Sequence, residues 1–186
     1  MKPLITFALL MLSGVSLAAQ PAKIIVLRHG EEGENGSKES LSLKGQERAM
    51  ALVPMLTQTP GLIPNNTQVV MFATRISRHA TNNHTHETLE PLASQLGLKI
   101  NAPYANSDSE SLARHVLTSP EYKDKTILIC WTHTHIPDLL VALGVPSERK
   151  PWPKETYDRY VVVTYRDGAA RMVNLPQRLL FGDSRR

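Results

Sequence analysis

The sequence is poor in the residues that cross-link small exported folds or bind metals through sulfur. Cys130 is the only cysteine among 186 residues, so the chain can form no internal disulfide and offers no cysteine pair to zinc. Because Cys130 lies in an apolar run, we expect a buried thiol that packs as a small hydrophobic group. The sequence also lacks an HExxH motif, internal repeats and low-complexity tracts. These absences exclude a disulfide scaffold, a cysteine-based zinc site and a repeat protein.

Neither basic nor acidic residues predominate strongly in the sequence. The chain has 21 lysines and arginines against 17 aspartates and glutamates, and the basic residues are scattered along it. A nucleic-acid-binding protein would concentrate basic residues on one face. The composition therefore predicts no nucleic-acid partner, and it fits a small anionic substrate.

The only long apolar stretch lies at the start of the sequence. Lys2 is followed by an almost wholly apolar run over residues 4–17, with the small residues Ser16 and Ala18 at its end. This layout is typical of a secretory signal peptide, and the run is short for a membrane span, which takes about 20 residues. We expect residues 1–18 to be a signal peptide and residues 19–186 a single periplasmic or secreted domain, with no stable membrane span after cleavage. An uncleaved N-terminal anchor is the alternative.

The mature chain alternates between strand and helix signals. Short apolar runs at residues 24–27, 69–72 and 126–131 predict buried strands. Helical spacing of apolar residues begins after Ser42, and two later helices are predicted to stop at Gly97 and Gly144. This alternation predicts an α/β fold, a three-layer sandwich with a mostly parallel central sheet and helices on both faces. A closing hairpin is expected across Asp167 and Gly168.

Three local signals refine this pattern. Pro54 falls within the first helix and should kink it or end its regular part early. Ser107 to Glu110 has the form of a capping box, in which Glu110 would reach back to the helix start. The loop containing Trp152 and Tyr157 is expected to pack over the core or to act as a lid, with a wall of the substrate pocket as the alternative.

Basic side chains follow three of the predicted strands. Arg28 and His29 come at the end of the first strand, Arg75 follows the second, and residues 132–135 (THTH) follow the strand at residues 126–131. In open α/β sheets, ligands bind beyond the carboxyl ends of the strands. We therefore expect these side chains to converge on one site.

His29 is the candidate nucleophile of that site. Gly30 allows a sharp turn and a close approach of a ligand to the backbone, and Arg28 supplies a forked cation suited to phosphate. A neutral imidazole nitrogen can attack phosphorus and split a difficult hydrolysis into two easier steps. A histidine that only makes a structural hydrogen bond at a strand end is the alternative. The convergence of three strand ends favours the nucleophile.

Several segments together resemble the histidine phosphatase (phosphoglycerate-mutase-like) superfamily. They are residues 24–30 (IIVLRHG), 41–49 (LSLKGQERA), 88–93 (TLEPLA) with 96–98 (LGL), and 127–133 (ILICWTH). In this order they cover nearly the whole mature chain. The resemblance implies that His29 accepts the phosphoryl group and that Arg28 and His133 bind it. It also implies a phosphatase that works without a metal cofactor.

The sequence departs from that family at the second arginine of the phosphate pocket. The family places an arginine four residues before the threonine that matches Thr88, and here this position holds His84. Counting forward from Thr74 instead gives Arg78, which we predict as the second phosphate-binding arginine, with His84 as the alternative. Arg75 is expected to lie in the substrate-binding loop and to point to solvent.

The proton donor and the remaining substrate contacts are predicted from nearby positions. The family often takes its general acid from the segment after the third strand, which here offers Asp108 and Glu110. Glu31 and Glu32 are alternatives. The other candidate substrate contacts, beyond Arg75 and His84, are Gly30, Glu31, Thr134 and His135. Thr134 stands where the histidine acid phosphatase branch has an aspartate, so the chain does not resemble that branch.

The sequence thus predicts an exported phosphomonoester hydrolase that acts on a small phosphorylated substrate. Export favours hydrolysis over a mutase reaction, which needs a supply of phosphoglycerate intermediates. A His-rich metal-binding protein or a non-catalytic binding protein on the same fold is the alternative, because two His-Thr-His triplets occur at residues 84–86 and 133–135. The phosphate ester and the oligomeric state stay open.

Overall fold

The computed structural model describes residues 20–33, 40–63, 68–76, 83–146 and 152–185. The predicted signal peptide and Arg78 lie outside these ranges. In chain order the described elements are β1 (Lys23–Arg28), α1 (Leu43–Gln58), β2 (Val69–Phe72), α2 (His84–Leu96), β3 (Ile100–Asn101), α3 (Ser109–Thr118), a 3₁₀ turn (Pro120–Tyr122), β4 (Thr126–Trp131), α4 (Ile136–Ala142), β5 (Arg159–Arg166) and β6 (Ala169–Pro176). None of the described helices is both long enough and apolar enough to cross a membrane.

All six strands described form one sheet in the order β3-β2-β4-β1-β5-β6. β3, β2, β4 and β1 are mutually parallel, whereas β5 runs antiparallel to β1 and forms a hairpin with β6. The predicted α/β sandwich with a mostly parallel sheet is confirmed, and so is the closing hairpin. β1 and β4 therefore lie side by side at the centre, and their carboxyl ends share one edge.

The sheet is covered on both faces, which explains why its central strands are apolar throughout. Ile24 and Val26 point into a core shared with α3 and α4, while Ile25 and Leu27 point into a second core shared with α1 and α2. Cys130 is fully buried in the second core, as predicted. Because successive side chains alternate between faces, a strand buried on both sides reads as a continuous apolar run.

α1 does not end early at Pro54, because it continues to Gln58; a kink there stays a prediction. Pro54 and Met50 are exposed, so water can reach the Met50 carbonyl that lacks its usual helical donor. The capping box predicted at Ser107 is wrong, because Asp108 is the residue that precedes α3 and its carboxylate accepts from the Ala105 N–H at 2.9 Å. Glu110 is exposed and takes no part in a cap.

Candidate active site

His29 lies just beyond the end of β1, at the central edge of the sheet. Its N–H donates to the Trp131 carbonyl at 3.3 Å, which ties it to the end of β4. The ring Nδ1 lies 2.8 Å from the carbonyl of Gly30, so Nδ1 carries the hydrogen and Nε2 keeps its lone pair. Burial lowers the pKa of His29 to about 3, with the Arg28 charge acting in the same direction and the Gly30 hydrogen bond opposing it. The ring is therefore neutral and presents Nε2 as a nucleophile.

Two glycines and a threonine fix the turn after His29. A Cβ on Gly30 would lie 2.8 Å from the Gly45 carbonyl oxygen, and a Cβ on Gly45 would lie 2.3 Å from the Glu31 carbonyl oxygen. The Gly30 N–H donates to Thr88 Oγ1 at 2.8 Å, which ties the turn to α2. Ser42 caps α1 by accepting from the Gly45 N–H at 3.1 Å, as predicted for this helix start. The first turn of α1 is thus pressed against the nucleophile loop.

Glu31 belongs to a buried ion-pair network. Its carboxylate accepts from Arg48 Nε at 2.9 Å and from Arg48 Nη2 at 2.7 Å. The same guanidinium binds both carboxylate oxygens of Asp183, at 3.0 and 2.9 Å, and the Gln177 side chain at 3.0 Å. Burial raises the pKa of Glu31, but the Arg48 contacts outweigh it and hold this pKa below its ordinary value. The structure places the Glu31 carboxylate in a structural contact.

Arg28 is buried beside His29, and part of its guanidinium has no hydrogen-bond partner among the described residues. Nη1 donates to the backbone carbonyls of Lys154 and Thr156, and the guanidinium lies over the Tyr157 ring. Among the described residues, neither Nε nor Nη2 has a hydrogen-bond partner. Buried donors are rarely left unpaired. Nε and Nη2 together can donate to two oxygens of a bound anion, as a guanidinium does in its bidentate contacts.

Within the described ranges, Glu32 is the carboxylate closest to these two residues. Its Oε1 lies 3.7 Å from His29 Nε2 and 3.7 Å from Arg28 Nη2, and the side chain is 40% exposed. A short bridge to Leu41 holds its backbone. The sequence predicts Glu32 only as an alternative proton donor. Its position three residues after His29 is the feature of the sequence that could have favoured it.

His84 completes the cluster from the first turn of α2. It is buried, and its ring centre lies 5.1 Å from that of His29. Both ring nitrogens lack a hydrogen-bond partner among the described residues. The His84 carbonyl accepts from Thr88 Oγ1 at 2.6 Å, and this hydroxyl also receives the Gly30 N–H, so one threonine links both histidines. The structure therefore brings His84 beside His29. Arg78 lies outside the described residues, so the choice between Arg78 and His84 for the phosphate pocket stays a prediction.

His133 is the second residue after the end of β4. Burial and the Arg28 charge lower its pKa, while Glu32 opposes this shift. His135 Nδ1 lies 3.1 Å from Thr132 Oγ1 and 2.9 Å from Thr134 Oγ1, and this ring immediately precedes α4. Thr134 is exposed. His133 thus shares the electrostatic environment of Arg28, whereas His135 and Thr134 contact each other.

The other sequence candidates lie in different surroundings. Arg75 is exposed, as expected, and its Nη2 lies 3.9 Å from Asp108 Oδ2. Asp108 and Glu110 line a cavity of about 300 Å³ together with Asp138. Within the described ranges, none of Arg75, Asp108 and Glu110 forms a hydrogen bond or ion pair with His29. Tyr157, in contrast, lies with its ring centre 6.0 Å from that of His29, so it forms a wall of the site.

Neither a family model nor a curated protein sequence matches the chain. Solved structures do match it. A mycobacterial glucosyl-3-phosphoglycerate phosphatase with inorganic phosphate has a TM-score of 0.56 and 13% identity, covering 82% of this chain and 95% of its own. A variant phosphoserine phosphatase from Entamoeba histolytica, in complex with phosphoserine, has a TM-score of 0.57 and 14% identity, covering 86% and 99%.

A third similar structure is a phosphoglycerate mutase from Bacillus anthracis, with a TM-score of 0.51 and 14% identity, covering 85% of this chain and 94% of its own. The chain shares its fold with these two phosphatases and with this mutase. The resemblance seen in the RHG segment and in the later blocks is thereby confirmed at the level of the fold. On this fold, β1 and β4 deliver His29 and His133 to one sheet edge, and α2 adds His84.

Proposed function

We propose that the protein is a phosphomonoester hydrolase that forms a phosphohistidine on His29. The observation that carries this proposal is a neutral, buried imidazole whose Nδ1 binds the Gly30 carbonyl and whose Nε2 lies 3.7 Å from Glu32 Oε1. Beside it, Nε and Nη2 of Arg28 have no hydrogen-bond partner among the described residues. A neutral imidazole nitrogen can attack phosphorus, and a fixed guanidinium can bind the phosphoryl oxygens.

Arg28 is the main anchor for the phosphoryl group in this proposal. Its Nε and Nη2 donate to two nonbridging oxygens, and contact with the Tyr157 ring holds the guanidinium in place. His133 and His84 add ring N–H groups from the sides of β4 and α2. Positioning and positive charge supply most of the catalysis in phosphoryl transfer, so a rigid cation beside the nucleophile is effective.

The reaction is proposed to proceed in two displacements. His29 Nε2 bonds to phosphorus while the ester P–O bond breaks, and the leaving oxygen takes a proton from Glu32. Water then attacks the phosphohistidine, gives a proton back to the Glu32 carboxylate, and inorganic phosphate leaves as the P–N bond breaks. Glu32 is favoured over Asp108 and Glu110 as the proton donor because its Oε1 lies 3.7 Å from His29 Nε2.

The substrate is proposed to be a small phosphate ester met outside the cytoplasm. The similar structures include enzymes named for phosphoserine and for glucosyl-3-phosphoglycerate. Residues 1–18 have the layout of a signal peptide. An exported enzyme lacks a supply of phosphoglycerate intermediates, which supports hydrolysis over a mutase reaction.

A panel of sugar, nucleotide and amino-acid phosphates, with p-nitrophenyl phosphate as a generic ester, tests the proposal. We expect wild-type protein to release phosphate in the presence of EDTA and to carry a phosphoryl group on His29 by mass spectrometry after rapid acid-free quenching. His29→Ala should lose both signals. His115→Gln is the matched control, because His115 lies on α3 away from the cluster. Equal, slow hydrolysis by wild type and His29→Ala would overturn the proposal.

A further inference from the structure

Three side chains at the site are arranged like the ligands of a metal ion. Ligand atoms of His29, Glu32 and His84 all lie within 4.8 Å of one another. They come from two places in the sequence, the loop after β1 and the start of α2. Two imidazole nitrogens and one carboxylate oxygen form a donor set that zinc and its neighbours among the divalent transition metals accept.

The surroundings of His29 suit a metal ligand. Its Nδ1–H is committed to the Gly30 carbonyl at 2.8 Å, which fixes the tautomer and orients Nε2 towards Glu32 and His84. Metal-ligating histidines usually donate their other ring N–H to a carbonyl or carboxylate in this manner. The hydrogen bond is already present without any ion, so His29 needs no tautomer change to bind one.

His84 supplies the independent observation. Its side chain is 1% exposed, and neither ring nitrogen has a partner among the described residues. A neutral imidazole has one N–H donor and one lone pair. A phosphate oxygen can satisfy the N–H but offers nothing to the lone pair, whereas a cation satisfies the lone pair directly. An arginine at this position would present donors only.

We infer that His29, Glu32 and His84 form a binding site for a divalent transition-metal cation such as Zn²⁺. Three ligands would leave the fourth position of a tetrahedral zinc ion to a water molecule or an anion. The Arg28 guanidinium opposes a cation, but Glu32 lies 3.7 Å from its Nη2 and offsets part of that charge. This binding does not depend on the proposed function. If that function holds, the metal removes the lone pair of Nε2 and inhibits phosphoryl transfer.

Zn²⁺ titration of the purified, metal-stripped protein by isothermal calorimetry tests the site. We expect wild type and His115→Gln each to bind one equivalent of Zn²⁺ tightly. In His29→Ala and His84→Ala the affinity for Zn²⁺ should fall by at least about 100-fold, which is more than the loss of an outer-shell partner usually causes. Circular dichroism establishes that each variant is folded. Retention of the tight equivalent in either folded variant overturns the inference, and so does the absence of tight binding in wild type.

His84→Arg tests the metal site without a truncating variant. This substitution removes the lone pair and adds a donor fork, so we expect zinc affinity to fall by at least about 100-fold in the same titration. A folded His84→Arg protein that still binds zinc as wild type does overturns the inference.

A direct readout comes from the histidine ring nitrogens by NMR. Zinc should shift Nε2 of His29 and one ring nitrogen of His84, and it should leave those of His115 unchanged. Shifts confined to other histidines count against the site. If the wild-type protein binds zinc but hydrolyses no phosphate ester, the proposed function is wrong and the metal site is still supported.

Discussion

The guanidinium carbon of Arg28 lies 3.6 Å from the centre of the Tyr157 ring. Tyr157 belongs to the loop before β5. Two backbone carbonyls of the same loop, those of Lys154 and Thr156, accept hydrogen bonds from Arg28 Nη1. The loop therefore holds one side of the guanidinium and leaves Nε and Nη2 for a ligand. A segment distant in sequence orients the cation that stands beside the nucleophile.

Tyr157→Leu should weaken phosphate-ester binding, whereas Tyr157→Phe should stay close to wild type. The ring contributes about 0.5–2 kcal/mol of cation–π attraction, so the leucine variant should show KM for p-nitrophenyl phosphate raised by about 2- to 30-fold, with kcat less affected. Steady-state kinetics with both variants measures this. A phenylalanine variant as impaired as the leucine variant would show that the hydroxyl, and not the ring, matters.

Gly45→Ala should destabilise the protein and impair the site together. The new Cβ would lie 2.3 Å from the Glu31 carbonyl oxygen, so the nucleophile loop or α1 has to move. We expect a loss of about 2–4 kcal/mol in the free energy of unfolding, in the range of backbone-displacing substitutions, measured by urea denaturation. Ala51→Gly is the comparison, because a helix-interior glycine costs only about 1 kcal/mol. Equal losses in the two variants would contradict the close packing.

Arg48→Met should destabilise the protein by about 3–5 kcal/mol, because it leaves the Asp183 carboxylate without its cation and the Glu31 carboxylate with only the exposed Lys44. Arg171→Met, on the exposed β6, should change stability by less than about 0.5 kcal/mol. Thermal and urea unfolding of both variants gives the comparison. If Arg48→Met changes the free energy of unfolding only slightly, the two carboxylates must become protonated or hydrated in the folded variant with little loss of stability.

Because of Asp183, we expect the free energy of unfolding to decrease in strong acid. Burial raises its pKa, but hydrogen bonds from Arg48 and from the Leu179 and Leu180 N–H groups outweigh this and lower the pKa to about 2. Because the folded-state pKa lies below the unfolded value, this contribution is present above about pH 4 and is lost as the pH falls towards 2.

Asp183→Asn tests this contribution through urea unfolding at a series of pH values. We expect the wild-type advantage over the variant to shrink steadily between about pH 4 and pH 2. Glu121→Gln serves as the control, since Glu121 is exposed on the 3₁₀ turn and should leave the pH profile unchanged. A wild-type advantage that stays constant down to pH 2 would show that Asp183 is not responsible.

The strands and the edge that carries the site could be predicted from the sequence because their signals are local. Residues 126–131 form a continuous apolar run, and the structure has β4 over the same residues. Since parallel strands share an edge at their carboxyl ends, the sequence was enough to expect Arg28, His29 and His133 near one another.

The carboxylates could not be assigned in the same way. Glu31 and Glu32 are adjacent in sequence, yet Glu31 binds Arg48 on α1 while Glu32 faces His29. That division depends on Asp183 and Gln177, which converge on Arg48 from the end of the chain. The false capping box has a similar cause, because Ser107 and Asp108 are both good helix-cap residues and the contact of Asp108 with Ala105 decides between them.

The place of β1 in the sheet also governs how the protein folds. Ile24 is paired with Ile127 on one side and with Val163 on the other. Both neighbours of β1 are thus contributed by the second half of the sequence, and such long-range pairing slows folding because the intervening loops must close first. β1 can find both partners only after β4 and β5 have been synthesised. A fragment that stops before β4 therefore cannot hold His29 in its native surroundings, and these surroundings form only when the later strands have paired.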